Sequence, residues 1–140
     1  MKTILASGYF DPIHVGHIEY LEKAAALGDR LVVIVNNDKQ CVLKKGKPFQ
    51  SETDRLIIVR SLRCVYRAFL SSDEDRSVCK SIRDVHSAFD VSIFAKGGDR
   101  TADEIPEAAI CRELGIDIVD GLGDKIRSSS ELTRTTNESP

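Results

Sequence analysis

Two histidines, His14 and His17, stand three residues apart with Gly16 between them, inside the stretch Gly8-Tyr9-Phe10-Asp11-Pro12-Ile13-His14-Val15-Gly16-His17. The run Thr3–Ala6 before this stretch is short and apolar, as a buried strand would be, and Ile18, Leu21, Ala24 and Ala25 after it recur at helical spacing. The motif therefore straddles a strand-to-helix turn. A helix beginning near Gly16 aims free backbone N–H groups and the positive end of its dipole into that turn, which favours an anion by about 0.3–1 kcal/mol. The two imidazoles project to one side of the turn, and Gly16, without a Cβ, lets a ligand approach the backbone. Phosphate is the ligand this pattern suits. Two histidines are equally the beginning of a metal site, with Asp11 as a third ligand, and on the residues alone that alternative stays open.

Apolar strand-like runs recur at Thr3–Ala6, Leu31–Val35, Ala68–Leu70, Val91–Ala95 and Ile116–Val119, with helix-periodic text between most of them. Such alternation predicts an α/β fold, a Rossmann-like doubly wound parallel sheet of five strands, within one domain spanning residues 1–140. Further helices are expected over Asp54–Ser61, Val78–Val85 and Ile105–Leu114, with Gly28 and Gly115 placed where left-handed caps are wanted. The segment Cys41–Gln50, with Lys44, Lys45, Lys47, Gly46 and Pro48, reads as a mobile loop, and residues 134–140 as a frayed tail. Ligands of doubly wound sheets sit beyond the carboxyl ends of the strands. His14 and His17 follow the first strand, Asn36-Asn37-Asp38 the second, Lys96-Gly97-Gly98-Asp99 the fourth, and Ile126-Arg127-Ser128-Ser129-Ser130 the fifth. Four segments thus converge on one rim.

Twenty basic residues against twenty-two acidic ones leave a net charge of −2, which offers no global field for nucleic acid or an anionic membrane. Small polar substrates fit better. The four cysteines, at 41, 64, 79 and 111, show neither CxxC spacing nor a disulfide framework, so reduced thiols and a cytoplasmic setting are expected. No apolar run has the length of a signal segment or a membrane span. Gly121-Leu122-Gly123 lacks the last glycine of a dinucleotide fingerprint, and there is no P-loop or nucleophile elbow. Asp73-Glu74-Asp75-Arg76 reads as an exposed turn capping the next helix, and His86 as structural.

The stretch from Gly8 to His17 resembles the HxGH signature of the nucleotidylyltransferase superfamily, in its small cytidylyltransferase-like branch. Glycerol-3-phosphate cytidylyltransferases and heptose-1-phosphate adenylyltransferase domains belong to that branch, and the likeness runs over nearly the whole chain. It implies transfer of CMP or AMP from CTP or ATP to a small phosphate monoester, such as a polyol or sugar phosphate, with release of pyrophosphate. His14, His17, Lys44 and Arg127 take the catalytic positions under this resemblance. Gly8, Tyr9, Phe10, Gly16, Lys45, Arg55, Gly97, Asp99, Ser128, Ser129 and Ser130 take nucleotide-binding ones, and Asp11, Asn36, Asp38 and Arg63 serve the acceptor. Tyr66 stands where the family often has Asp, so that acid is lost or moved.

The resemblance further implies Mg²⁺ carried mainly by the nucleotide phosphates, no metal site of protein side chains, and a homodimer. Lys96-Gly97-Gly98-Asp99 is most similar to the heptose-1-phosphate adenylyltransferases and favours a sugar 1-phosphate acceptor as the alternative. Two readings from other classes are a nucleotide-sensing domain without catalysis and a hydrolase with a histidine-bound metal.

Overall fold

Unbroken β-branched and apolar text forms the two central strands, β1 (Thr3–Gly8) and β2 (Arg30–Val35), whose residues from Leu31 to Val35 are all fully buried. Strands covered on both faces need no polar alternation. In the computed structural model, which describes residues 1–97 and 105–120, three further strands complete the sheet: β3 (Arg67–Leu70), β4 (Val91–Ala95) and β5 (Asp117–Val119). The order is β3-β2-β1-β4-β5 with every pair parallel, and β1 meets β2 from Thr3↔Arg30 to Gly8↔Val35. Connections from β1 and β4 leave on opposite sides of the sheet, so a crevice opens beyond their carboxyl ends.

Among the described residues five helices cover the sheet: α1 (Val15–Ala25), α2 (Asp38–Lys45), α3 (Glu52–Arg60), α4 (Cys79–Phe89) and α5 (Glu107–Leu114). Because side chains alternate across a strand, Ile4, Ala6, Val33 and Val35 pack with Leu21, Ala24 and Val59 of α1 and α3 on one face. Leu5, Val32, Ile34 and Phe94 pack with Ile82, Val85 and Ile110 of α4 and α5 on the other. Burying a side chain the size of Leu21 contributes about 1.5–3 kcal/mol.

The expectation of a loop over Cys41–Gln50 is corrected, because helix α2 runs through Lys45. Its driving force is a reciprocal cap: Asn37 Oδ1 accepts from the Gln40 N–H at 2.9 Å, and Gln40 Oε1 accepts from the Asn37 N–H at 3.1 Å. Lys44 and Lys45 complement the dipole at the other end, where Gly46 stops the helix at φ 93°. The loop shrinks to residues 46–51. Gly115 caps α5 in the left-handed region as expected, at φ 74°. Gly28 does not adopt a positive φ; it is needed because a Cβ there would meet Ile4 Cδ1 and the Lys2 carbonyl at 2.8 Å.

Candidate functional site

Helix α1 starts with a cap made by the two histidines themselves. His14 is the N-cap, its Nδ1 accepting from the Gly16 N–H at 3.0 Å, while His17 Nδ1 accepts from the His14 N–H at 3.1 Å. The rings stack with centroids 3.9 Å apart. An imidazole nitrogen that accepts is unprotonated, so a neutral ring so placed carries its proton on Nε2. The sequence expectation of free backbone amides at this turn is thereby modified: the N–H groups of His14, Gly16 and His17 are taken up within the turn, and two Nε2–H groups are added as donors. Burial, then the neighbouring His14, then the Lys44 charge push the His17 imidazole down to about 4. At neutral pH His17 is an uncharged donor, not an acid.

Gly16 is also explained differently from the ligand approach expected, since a Cβ there would lie 2.9 Å from His14 Cε1. The glycine makes room for the folded-back ring. Phe10 lies in the left-handed region at φ 52°, which tucks its buried ring over Gly8, where a Cβ would meet Cζ at 2.8 Å, and sets it edge-on to His17 at 5.2 Å. Phe10 therefore backs the imidazoles from inside the core. Tyr9 is half-buried, and the Lys44 ammonium lies 4.3 Å from its ring centroid. Burial pushes the Tyr9 phenol up, against the pull of the positive charge of Arg76.

The acidic and basic residues next to this cluster are engaged with the protein. Arg55, expected among the nucleotide ligands, has a side chain with no exposed surface. It donates to the carbonyls of Tyr9 at 2.9 Å, Asn36 at 2.6 Å and Gln50 at 3.0 Å, and to Asp38 Oδ1 at 2.7 Å. It is a positioning residue that ties the ends of β1 and β2, the start of α2 and the 46–51 loop together. Asp11 accepts from the N–H groups of Phe49 at 2.8 Å and Gln50 at 2.7 Å, and its Oδ2 lies 2.7 Å from Lys45 Nζ. Burial alone would raise its carboxyl, but Lys45 and the two N–H donors hold it below the usual carboxylate range. Lys45 thus faces Asp11, and Lys44 faces Tyr9.

Asn36 is buried, its Nδ2 donating to Gln40 Oε1 at 2.9 Å. That separates it from the acceptor role expected of it. Arg63 is corrected too: it precedes the amino end of β3, at the edge of the parallel sheet opposite the imidazoles. Gly97 follows β4 at the rim, close enough to α1 that a Cβ would meet Tyr20 Cδ1 at 3.2 Å. Asp99, Arg127, Ser128, Ser129 and Ser130 lie outside the described residues.

Sequence reasoning missed the network that builds the β2–β3 side of the rim. Gln40 is fully buried, and its Nε2 donates to the Asp75 and Ser77 carbonyls, each at 2.7 Å. Asn37 Nδ2 reaches the carbonyls of Ser71 and Asp73, both at 3.1 Å. Asp73, expected in an exposed turn, is buried and takes the N–H groups of Lys80 at 2.8 Å and Ser81 at 2.9 Å, capping α4 from a distance. The Asn37-x-x-Gln40 spacing of a capping box was the available signal. His86 is structural, as read, with Nδ1 accepting the Val91 N–H at 3.0 Å. Among the described residues no group of three or more His, Cys, Asp or Glu side chains is arranged to hold a metal ion, and no helix is long and apolar enough to cross a membrane.

The arrangement can bind a phosphate with two uncharged donors at the positive end of α1 and a cation beside them. Residues 5–132 match the cytidylyltransferase-like family. An FAD synthase from Methanocorpusculum labreanum is 36% identical over 134 residues, which cover 94% of this chain and 93% of that protein. The Bifunctional protein HldE from Hydrogenovibrio crunogenus is 36% identical over 118 residues, covering 81% of this chain but only 23% of that protein. The crystal structure of the lipopolysaccharide core biosynthesis protein from Thermoplasma volcanium superposes with a TM-score of 0.70 at 28% identity, over 86% of this chain and 95% of that one. A parallel β3-β2-β1-β4-β5 sheet, paired imidazoles capping the helix after its first strand, and a family match over residues 5–132 make this chain a member of the cytidylyltransferase-like family and a nucleotidyltransferase.

Proposed function

We propose that this protein transfers AMP from ATP to the phosphate of a small phosphate monoester, with FMN as the first acceptor and FAD and pyrophosphate as the products. The observation that carries this reading is the histidine pair, whose Nδ1 atoms are both occupied by backbone N–H groups and whose Nε2–H groups are left for substrate. An acceptor phosphate oxygen attacks the α-phosphorus and forms a new P–O bond. The bond from that phosphorus to the oxygen bridging to the β-phosphate breaks, and pyrophosphate leaves with the electron pair. No proton has to be removed, because a phosphate monoester is already ionised.

The task is bringing two anions together, so catalysis rests on positioning and charge neutralisation. His14 and His17 donate to the α-phosphoryl and bridging oxygens, and Lys44 follows the charge as it moves toward pyrophosphate. Arg127 and Ser128 to Ser130 hold the outer phosphates, while Gly97 and Asp99 receive the nucleoside. Mg²⁺, carried by the triphosphate, would lower its charge.

ATP is favoured over CTP by the relatives named FAD synthase, one of which this chain matches nearly end to end. A sugar 1-phosphate acceptor is the second reading, favoured by Lys96-Gly97-Gly98-Asp99 and by the HldE relatives, of which this chain spans about a quarter. The deciding experiment measures pyrophosphate release with ATP or CTP against FMN, sugar 1-phosphates and glycerol 3-phosphate. Turnover with ATP and FMN, with FAD in the product, is the expected result; turnover only with CTP, or with no acceptor at all, rejects the proposal.

A further inference from the structure

The ladders of the sheet do not end together. β1 pairs with β2 as far as Gly8↔Val35, and β4 pairs with β5 as far as Ala95↔Val119, but among the described residues β1 pairs with β4 only as far as Leu5↔Phe94. Beyond that point the two strands part, and the crevice opens between residues 6–8 and Ala95. A buried carbonyl that leaves a ladder needs another donor. For Ala95 that donor is the Tyr20 hydroxyl, buried and 2.7 Å from the carbonyl oxygen. Burial pushes the Tyr20 phenol up, so at neutral pH it keeps its proton and donates. The same ring packs against Gly97, two residues on, where a Cβ would lie 3.2 Å from Cδ1 and 3.4 Å from Cε1.

Tyr20 stands three residues after His17 in α1, about one turn further along the same face. One helix therefore carries the two imidazoles at its start and, a turn later, the tether that holds the end of β4. The imidazoles are fixed by hydrogen bonds within their own turn, so the tether is needed for the other bank of the crevice. We propose that Tyr20 is the strut of the crevice, fixing the end of β4 and Gly97 at a set distance from His14 and His17, so that a nucleotide whose nucleoside rests at Gly97 has its α-phosphate at the imidazoles. Tyr20 touches no reacting atom and is a positioning residue. A seat held in place before the ligand arrives does not have to be ordered on binding, which strengthens binding without a new contact.

This inference rests on the nucleotidyl-transfer reading, and its test keeps the two apart. Tyr20→Phe removes only the hydroxyl and retains the ring against Gly97. Calorimetry with AMP and with tripolyphosphate divides the nucleotide into its halves. Tyr20→Phe should raise the Kd of AMP about 5–20-fold and leave that of tripolyphosphate within about twofold; in turnover the ATP KM should rise by a similar factor, with kcat within about threefold. An unchanged Kd for AMP overturns the assignment, and so does an equal loss for tripolyphosphate, because a merely structural defect weakens both. Hydrogen exchange needs no ligand. The Lys96 N–H, held by the Val119 carbonyl at 2.7 Å, should exchange about tenfold faster or more in Tyr20→Phe, while the His17 and Ile18 amides at the start of α1 keep their wild-type rates. Unchanged exchange at Lys96 overturns the strut. A wild-type protein that binds neither probe and turns over no acceptor rejects the transfer reading alone, and the exchange result then decides on the strut by itself.

Discussion

A neutral imidazole helps a phosphorus centre only if its proton is on the nitrogen that faces the substrate, and in this chain backbone N–H groups decide that for His14 and His17. Removing one such fixed donor by His17→Ala should lower kcat by about 10²–10³ with the fold retained; steady-state rates check this, and a loss of only a few-fold would contradict the role. The lowered His17 value also carries a sign. The unfolded chain binds a proton near 6.5 and the folded one only near about 4, so between those values the unfolded state holds more protons and folding stability rises with pH. That contribution is present above 6.5 and lost as pH falls toward about 4. Urea unfolding across this window should show a shallower acid decline for His17→Ala than for wild type. Arg55 is the other decisive residue. Arg55→Lys keeps the charge but not the fork, cannot serve the carbonyls of Tyr9, Asn36 and Gln50 and the Asp38 carboxylate together, and should cost about 1–3 kcal/mol in the same measurement.

At the scale of elements, α1, α2 and the 46–51 loop form one unit around Asp11. The loop is held to the β1 turn by hydrogen bonds from Phe49 and Gln50 to a single carboxylate, which Lys45 at the end of α2 also grips. Asp11→Asn removes one acceptor oxygen and the ion pair. Hydrogen exchange should then speed up at the Phe49 or Gln50 amide by about tenfold or more, while β1 and β2 stay protected; unchanged exchange would mean that the loop is held by something else. Helix α2 itself shows why charge runs mislead. Lys44 and Lys45 in a polar stretch read as loop, but cations in a last helical turn are stabilising, and the caps at Asn37 and Gly46 fix both ends.

At the scale of the whole molecule, the crevice between β1 and β4 lies where doubly wound sheets take their ligands, and the proposed nucleotide would lie across it. A triphosphate bridging elements on both sides binds only the folded state. ATP at about 100 times its Kd should therefore stabilise the protein by about 2.7 kcal/mol and raise its Tm by several degrees, growing with the logarithm of concentration. Thermal unfolding with ATP and CTP checks this, and no shift with either would remove the nucleotide from the site.

The strands, the helix after the first of them and the histidine turn were legible in the sequence because apolar periodicity and capping are local: β1, β2 and α1 are set by residues within a few positions of one another. The roles of the charged residues were not. Arg55 reads as a ligand until its carbonyl partners arrive from Tyr9 and Asn36, 46 and 19 residues away. Asp11 reads as facing the acceptor until Gln50 closes on it from 39 residues away. By itself the sequence determined the order of elements and the histidine turn at the start of α1. Only the tertiary structure decided which cations are tied up inside the protein and which remain for a substrate, because a charge is neutralised by whatever reaches it in space, and those partners are far apart along the chain.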